Sequence, residues 1–188
     1  MLDGDILCRA VLFPRQWTQG VYSSEAALAL GSRNSEGKFC LSFGSKYLLR
    51  NTSGVHEFGI STADLANAGI EKRLNRPLND SEKQQYVAFY DIFVGSIRQI
   101  SLEMHNLDIR WKVEHGRQEH FEIQISEMPS AIQRPRKERQ LERTRILAFL
   151  FARFWGPCVF LNSVEVGGNI IPIVLPEGRQ GGCEEYKI

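Results

Sequence analysis

The run from Ser81 to Met104 constrains the fold of this chain more than any other stretch. Tyr86, Phe89, Tyr90, Phe93, Ile97, Ile100 and Met104 recur at spacings of three, four and one, which marks one face of an amphipathic helix. Ser81-Glu82-Lys83-Gln84 precedes them as a capping box, in which a hydroxyl and a carboxylate satisfy the first free backbone amides. The spacing predicts one helix over about 82–105, roughly 35 Å long at 1.5 Å per residue. Gly95 falls inside it and either bends it or ends it early, at a cost of about 1 kcal/mol against alanine. An aromatic stripe of this kind is core, so other elements must cover it.

The covering elements read as strands. Residues 5–13 (DILCRAVLF) form an apolar run stopped by Pro14, and Phe39, Leu41 and Phe43 alternate with smaller residues. Ile109, Trp111 and Val113 match Phe121, Ile123 and Ile125 across the turn His115-Gly116-Arg117-Gln118, a hairpin with one buried face. Pro157 releases a strand at Cys158–Leu161. Val164–Val166 and Ile170–Leu175 form a second hairpin about Gly167-Gly168-Asn169, and Pro172, which lacks an amide proton, puts its strand at an edge. Val55 to Ile60 alternates weakly and is read as a strand carrying Phe58 and Ile60. Ser61-Thr62-Ala63-Asp64 caps a helix of about two turns that Gly69 stops. Ser23 and Ser24 cap a short helix over Glu25–Leu30, and residues 31–38 are a turn-rich loop.

The segment Arg134 to Trp155 (RPRKERQLERTRILAFLFARFW) changes character halfway. Arg136, Arg139, Arg143, Leu147, Leu150 and Phe154 share one helical face, cationic at one end and apolar at the other. A helix over about 136–155 is thus anchored in the core by its second half and projects its first half outward. Arginine outnumbers lysine five to one between Arg134 and Arg145. The guanidinium fork suits phosphate or carboxylate, whereas lysine would serve solubility as well. Arg139 and Arg143 repel one another at i,i+4 unless an anion intervenes. The plainer reading is a solvated face relieved by Arg134–Glu138 and Glu142–Arg145 pairs.

These elements predict an α+β fold, with antiparallel β-hairpins packed against two long helices at about 82–105 and 136–155. Residues 1–175 make a single α+β domain, with 1–78 marking a candidate N-terminal subregion, and 176–188 form a flexible C-terminal tail. The formal net charge of +1 confines any attraction to nucleic acid to a local patch. The acidic start Met1-Leu2-Asp3-Gly4-Asp5 is unlike a secretory signal. The apolar stretch 146–161 is interrupted by Arg153, Gly156 and Pro157 and is shorter than the ~20 residues of a membrane span. Cys8, Cys40, Cys158 and Cys183 are scattered without a C-x-x-C pair, which reads as reduced thiols in the cytoplasm.

Known chemical motifs are sparse. Gly31–Lys38 has five residues between its glycines and Phe39 in place of the P-loop hydroxyl, so it is a turn. His105, His115 and His120 gather near Glu103, Asp108, Glu114, Glu119 and Glu122 but match no ligand spacing. The order long helix, hairpin, helix, strand over residues 82–161 resembles the core of the PD-(D/E)xK nucleases. That resemblance implies Mg2+ or Mn2+ held by Asp108 and Glu122, with Gln124 at the position of the family's lysine and Glu103 or His120 as further ligands. Leu107 stands where the family often has proline. Replacing the lysine by Gln124 removes a charge that helps activate water. Strand parity allows two registers, one with Lys112 opposite Glu122 and one with Arg110 opposite Glu122, and only the second sets Asp108 opposite Gln124.

The leading expectation is a non-catalytic cytoplasmic module without a cofactor. It binds an anionic partner, either nucleic-acid phosphates or an acidic protein surface, through Arg136, Arg139, Arg143 and Arg145. No membrane partner is expected. The divalent-metal nuclease is the alternative, and a structural subunit of a larger assembly, using apolar surface and the tail, is the third reading.

Overall fold

Gln85–Phe93, the first part of the expected long helix, is a β-strand (β6) whose residues between the two ends are all buried. The computed structural model describes residues 1–15, 17–18, 21–22, 32–33, 39–104, 107–113, 116–125, 145–146 and 148–175. Strand β1 (Ile6–Phe13) pairs with β6 along its whole length, from Ile6 opposite Phe93 to Phe13 opposite Gln85. The other edge of β6 takes β9 (Trp155–Val159), with Ala88 opposite Val159 and Asp91 opposite Trp155.

The misleading helical period has a local cause. The ladder passes from Val11–Ala88 to Leu12–Tyr86, so Val87 is an extra residue on β6. A bulge of this kind shifts side-chain parity by one. Tyr86 and Phe89 therefore share one face of the sheet, while Ala88, Tyr90 and Ile92 share the other. A spacing of three arises here in a strand. The helix begins only after β6, as α3 (Val94–Met104), which buries Ile97 and Ile100. Gly95 lies in its first turn and donates its amide to Asp3 O at 2.9 Å. The expected capping box at Ser81–Gln84 closes a turn instead: Glu82 accepts from the Asn79 amide at 3.1 Å and from Arg76 Nη2 at 2.7 Å.

The main sheet is antiparallel, in the order β7 (Leu107–Trp111), β8 (His120–Ile125), β5 (Phe39–Ser45), β1, β6, β9, and β4 (Ser32–Arg33) also pairs with β5. Two small ribbons join β2 (Trp17–Thr18) to β3 (Val21–Tyr22) and β10 (Ser163–Val166) to β11 (Asn169–Pro172). The α+β class with antiparallel strands is the one the sequence predicts.

Between β5 and β6 run a single turn of helix, α1 (Lys46–Leu49), and the long α2 (Thr52–Leu74). The Asn51 side chain caps α2 by accepting from the Gly54 amide at 2.9 Å, and Asn75 ends it in the left-handed region. The strand expected at Val55–Ile60 is therefore the start of α2. Its buried set is Val55, Phe58, Gly59 and Ala63, at spacings of three, one and four, while Ile60 is exposed. Thr62, expected in a cap, sits inside α2 and donates back to Phe58 O at 2.7 Å.

Of the expected 136–155 helix, residues 136–144 and Leu147 lie outside the described residues, as do the helix at Glu25–Leu30 and the tail 176–188. Residues 145–146 and 148–151 are helical. The helix stops short of 155 because Trp155 is drawn into β9 opposite Asp91. Ile146, Leu150 and Phe154 pack with α3 and the Tyr90 face of the sheet, and α2 covers the opposite face. The sheet centre thus has helix on both sides. Cys8 and Cys40 are buried and not disulfide-bonded, as expected. Cys158 is not free but disulfide-bonded.

Gly59 shows how closely α2 lies on β6, since an added Cβ would stand 2.4 Å from the Tyr86 ring, whereas one at Gly69 would meet nothing within 4 Å. Gly→Ala inside a helix ordinarily stabilises, by about 0.5–1 kcal/mol. Gly69→Ala should show that gain in urea unfolding. Gly59→Ala should reverse the sign and lose roughly 1–3 kcal/mol through overpacking. An equal gain at both positions would mean that α2 does not rest on Tyr86.

Candidate functional site

Among the four arginines proposed for anion binding, Arg136, Arg139 and Arg143 lie outside the described residues. Arg145 is exposed, and the next residue, Ile146, is buried in the core with Leu150 and Phe154. Phe154 stacks on Tyr90 with ring centroids 5.8 Å apart and meets Phe43 at 6.2 Å. Ala148 and Phe149 are exposed again, so Arg145 lies on the outer face of a helix whose inner face carries Ile146 and Leu150.

The β7–β8 hairpin takes the register that sets Arg110 opposite Glu122 and Asp108 opposite Gln124. Asp108 Oδ2 accepts from Arg110 Nε at 2.8 Å, and Glu122 Oε1 holds Lys112 Nζ at 2.9 Å. Glu103 is 3.6 Å from Arg153, and the ring of His120 lies 3.0 Å from Lys112 O through Nδ1. Trp111, expected in the core, is 61% exposed and donates its indole N–H to Gln118 O. The polar face is more enclosed than a hairpin surface would be: His120, Glu122 and Gln124 are all buried, and Glu122 Oε2 and Gln124 Oε1 have no hydrogen-bond partner. Buried acceptors without donors are uncommon and costly. Among the described residues, no three His, Cys, Asp or Glu side chains are placed to hold a metal ion. His105 and His115 lie outside the described residues.

A cluster of perturbed buried groups lies elsewhere, at a place that sequence reading missed. Lys46 opens α1 directly after β5, and Asp91 stands on β6 opposite Cys8 of β1. Lys46 Nζ is 2.5 Å from Asp91 Oδ2, with the two side chains 5% and 3% exposed. The same ammonium lies over the Phe89 ring, 4.6 Å from its centroid. Asp91 Oδ1 is buried without a partner. Burial pushes the Asp91 carboxyl up to about 6 against the attraction of Lys46. Burial likewise lowers the Lys46 ammonium, and Asp91 opposes that shift. The neighbouring Cys8 thiol is pushed up to about 12, first by burial and then by Asp91, so it is no nucleophile.

Above this pair opens a cavity of about 410 Å³, bounded by Thr52, Val55 and His56 of α2, by Lys46 and Phe89, and by Pro157, Cys158 and Val159 of β9. His56 Nδ1 is 3.0 Å from the Tyr86 hydroxyl, and its ring lies tilted against Phe160 with centroids 4.5 Å apart. Burial lowers the His56 pKa and raises that of Tyr86, so both are neutral. A buried amine, a carboxyl with raised pKa and a neutral imidazole around one cleft form the kind of cluster that marks functional sites. The single sequence signal was Asp91 itself, a lone charge inside the apolar run QYVAFYDIF. Its partner lies 45 residues away, beyond any local pattern.

Compared with protein-family models, with curated proteins and with solved structures, the chain matches none.

Removing one member of a buried ion pair strands the other. Lys46→Met or Asp91→Leu alone should cost roughly 3–5 kcal/mol in denaturant unfolding, while the double variant should recover most of that loss. Losses that simply add would mean that the two groups are not coupled.

Proposed function

We propose that the protein is a non-catalytic module that binds an anionic partner through Arg136, Arg139, Arg143 and Arg145. The observation that carries this reading is the exposure of Arg145 on the outer face of a helix that its inner face anchors in the core. Ile146, Leu150 and Phe154 fix one face of the apolar half in the core, and Arg145 stands exposed at the start of that half. Several guanidinium forks close together in sequence suit nucleic-acid phosphates or an acidic protein surface. No described helix is long and apolar enough to cross a membrane. The reading takes the cytoplasm as its compartment, against which the disulfide at Cys158 counts.

A divalent-metal nuclease is the second reading. The unpartnered Glu122 Oε2 and Gln124 Oε1, with Asp108 opposite Gln124, are its support, since such oxygens suit Mg2+ or Mn2+. The cations already on Asp108 and Glu122 count against it.

The test titrates labelled single- and double-stranded nucleic acid across a salt series, with and without Mg2+ or Mn2+. Binding without cleavage is expected, with log affinity falling linearly with log salt. Arg139→Gln and Arg143→Gln together should flatten the slope on duplex DNA by roughly two, about 0.9 for each lost phosphate contact. Base preference should hardly change, because phosphate contacts position a protein without reading bases. An acidic protein partner would leave salt-sensitive protein binding with no affinity for nucleic acid. Metal-dependent cleavage would move the function to the hairpin. If the double variant binds every partner as the wild type does, the basic half is only a solvated face.

A further inference from the structure

We propose that Lys46 is an imine-forming amine and that the cavity above it receives a small aldehyde or ketone with an apolar body. The inference is independent of the arginine segment. It rests on the placing of three groups: an amine at the cavity wall, a carboxyl 2.5 Å from that amine, and apolar side chains around the space in front of them.

The volume of about 410 Å³ falls in the range of small-ligand sites. Its walls at Val55, Phe89, Pro157 and Val159 favour an uncharged, apolar ligand and disfavour a polyanion. A free carboxylate ligand would gain little from Lys46, whose charge Asp91 already balances. A carbonyl compound brings no charge, and an amine can hold it covalently. Lysines desolvated in apolar pockets act in this way, because burial weakens their hold on the proton.

Asp91 supplies the proton path. Lys46 Nζ passes a proton to Asp91 Oδ2, and the freed nitrogen lone pair adds to the carbonyl carbon, opening the C=O double bond. The carbonyl oxygen takes a proton from nitrogen to give a carbinolamine. Asp91 then returns its proton to that hydroxyl, the C–O bond breaks, and water leaves as the C=N bond forms. The net change is carbonyl plus ammonium to iminium plus water, with Asp91 again a carboxylate and no oxidant or reductant consumed. Asp91 Oδ1, buried without a partner, can accept a hydrogen bond from the departing water. Cys8 does not compete for the carbonyl, since its thiol is fully buried and stays protonated.

The wild-type protein itself is the test. Benzaldehyde and sodium cyanoborohydride are added at neutral pH, the reaction is stopped at low conversion, and benzylated peptides are mapped by mass spectrometry. Lys46 should be labelled at least tenfold faster than Lys72 and Lys83, which are exposed and serve as internal references. Val159→Trp, at the cavity rim where Val159 is 45% exposed, should slow Lys46 labelling severalfold and leave Lys72 unchanged. Glyoxylate, a charged aldehyde of smaller size, should lose the preference for Lys46. Labelling of Lys46 no faster than that of Lys72, or unaffected by a folded Val159→Trp variant, overturns the proposal. Should that variant fail to fold, the wild-type rate comparison decides alone.

Discussion

Strand β6 has solvent on neither face. It pairs along its length with β1 and along its other edge with β9, and helices close over both of its sides. That constraint accounts for its composition, because a strand buried on both faces reads as a continuous apolar run without alternation. It also accounts for the covering elements. Phe58 and Val55 of α2 meet Tyr86 and Phe89, and Ile97, Ile100, Leu150 and Phe154 gather on the side of Tyr90 and Ile92. The one charge in the strand, Asp91, then requires a cation in the interior. The turn after β5 delivers Lys46 to it.

Legibility in the sequence followed the presence of an undisturbed local marker. Strands bounded by a proline or a turn, or keeping a period of two, were readable even where both faces are buried: β1 up to Pro14, β5 from Phe39, the β7–β8 hairpin and the β10–β11 ribbon all lie close to where alternation or a proline places them. β6 was not readable. Its bulge at Val87 puts Tyr86 and Phe89 on one face at a spacing of three, and α3 continues the same apolar run, so strand and helix merge into one apparent period. α2 was divided wrongly for the opposite reason. Its buried contact is narrow, with Gly59 and Ala63 in it, and the strongest cap-like string, Ser61–Asp64, lies in its interior while the cap is Asn51.

The candidate sites differ in the same way. The arginine segment is a local charge pattern and was visible at once. The hairpin register was narrowed by parity to two choices, of which the ladder takes the one with Arg110 opposite Glu122. The Lys46–Asp91 cavity is assembled from α1, α2, β6 and β9, and none of these carries a recognisable motif. Lone polar residues in apolar runs, such as Asp91, are the trace that such a site leaves in a sequence.

The account stands on Asp91 being held in a dry interior between two packed faces. A carbon-13 NMR titration of its side-chain carboxyl, assigned by loss of the signal in Asp91→Asn, measures that directly. The expected midpoint lies above the ordinary aspartate value, at about 6, raised by burial in spite of the ammonium beside it. A midpoint at the ordinary aspartate value of about 4 or below would mean that burial does not dominate the Asp91 carboxyl. That result would contradict the desolvated pair on which the account of the cavity rests.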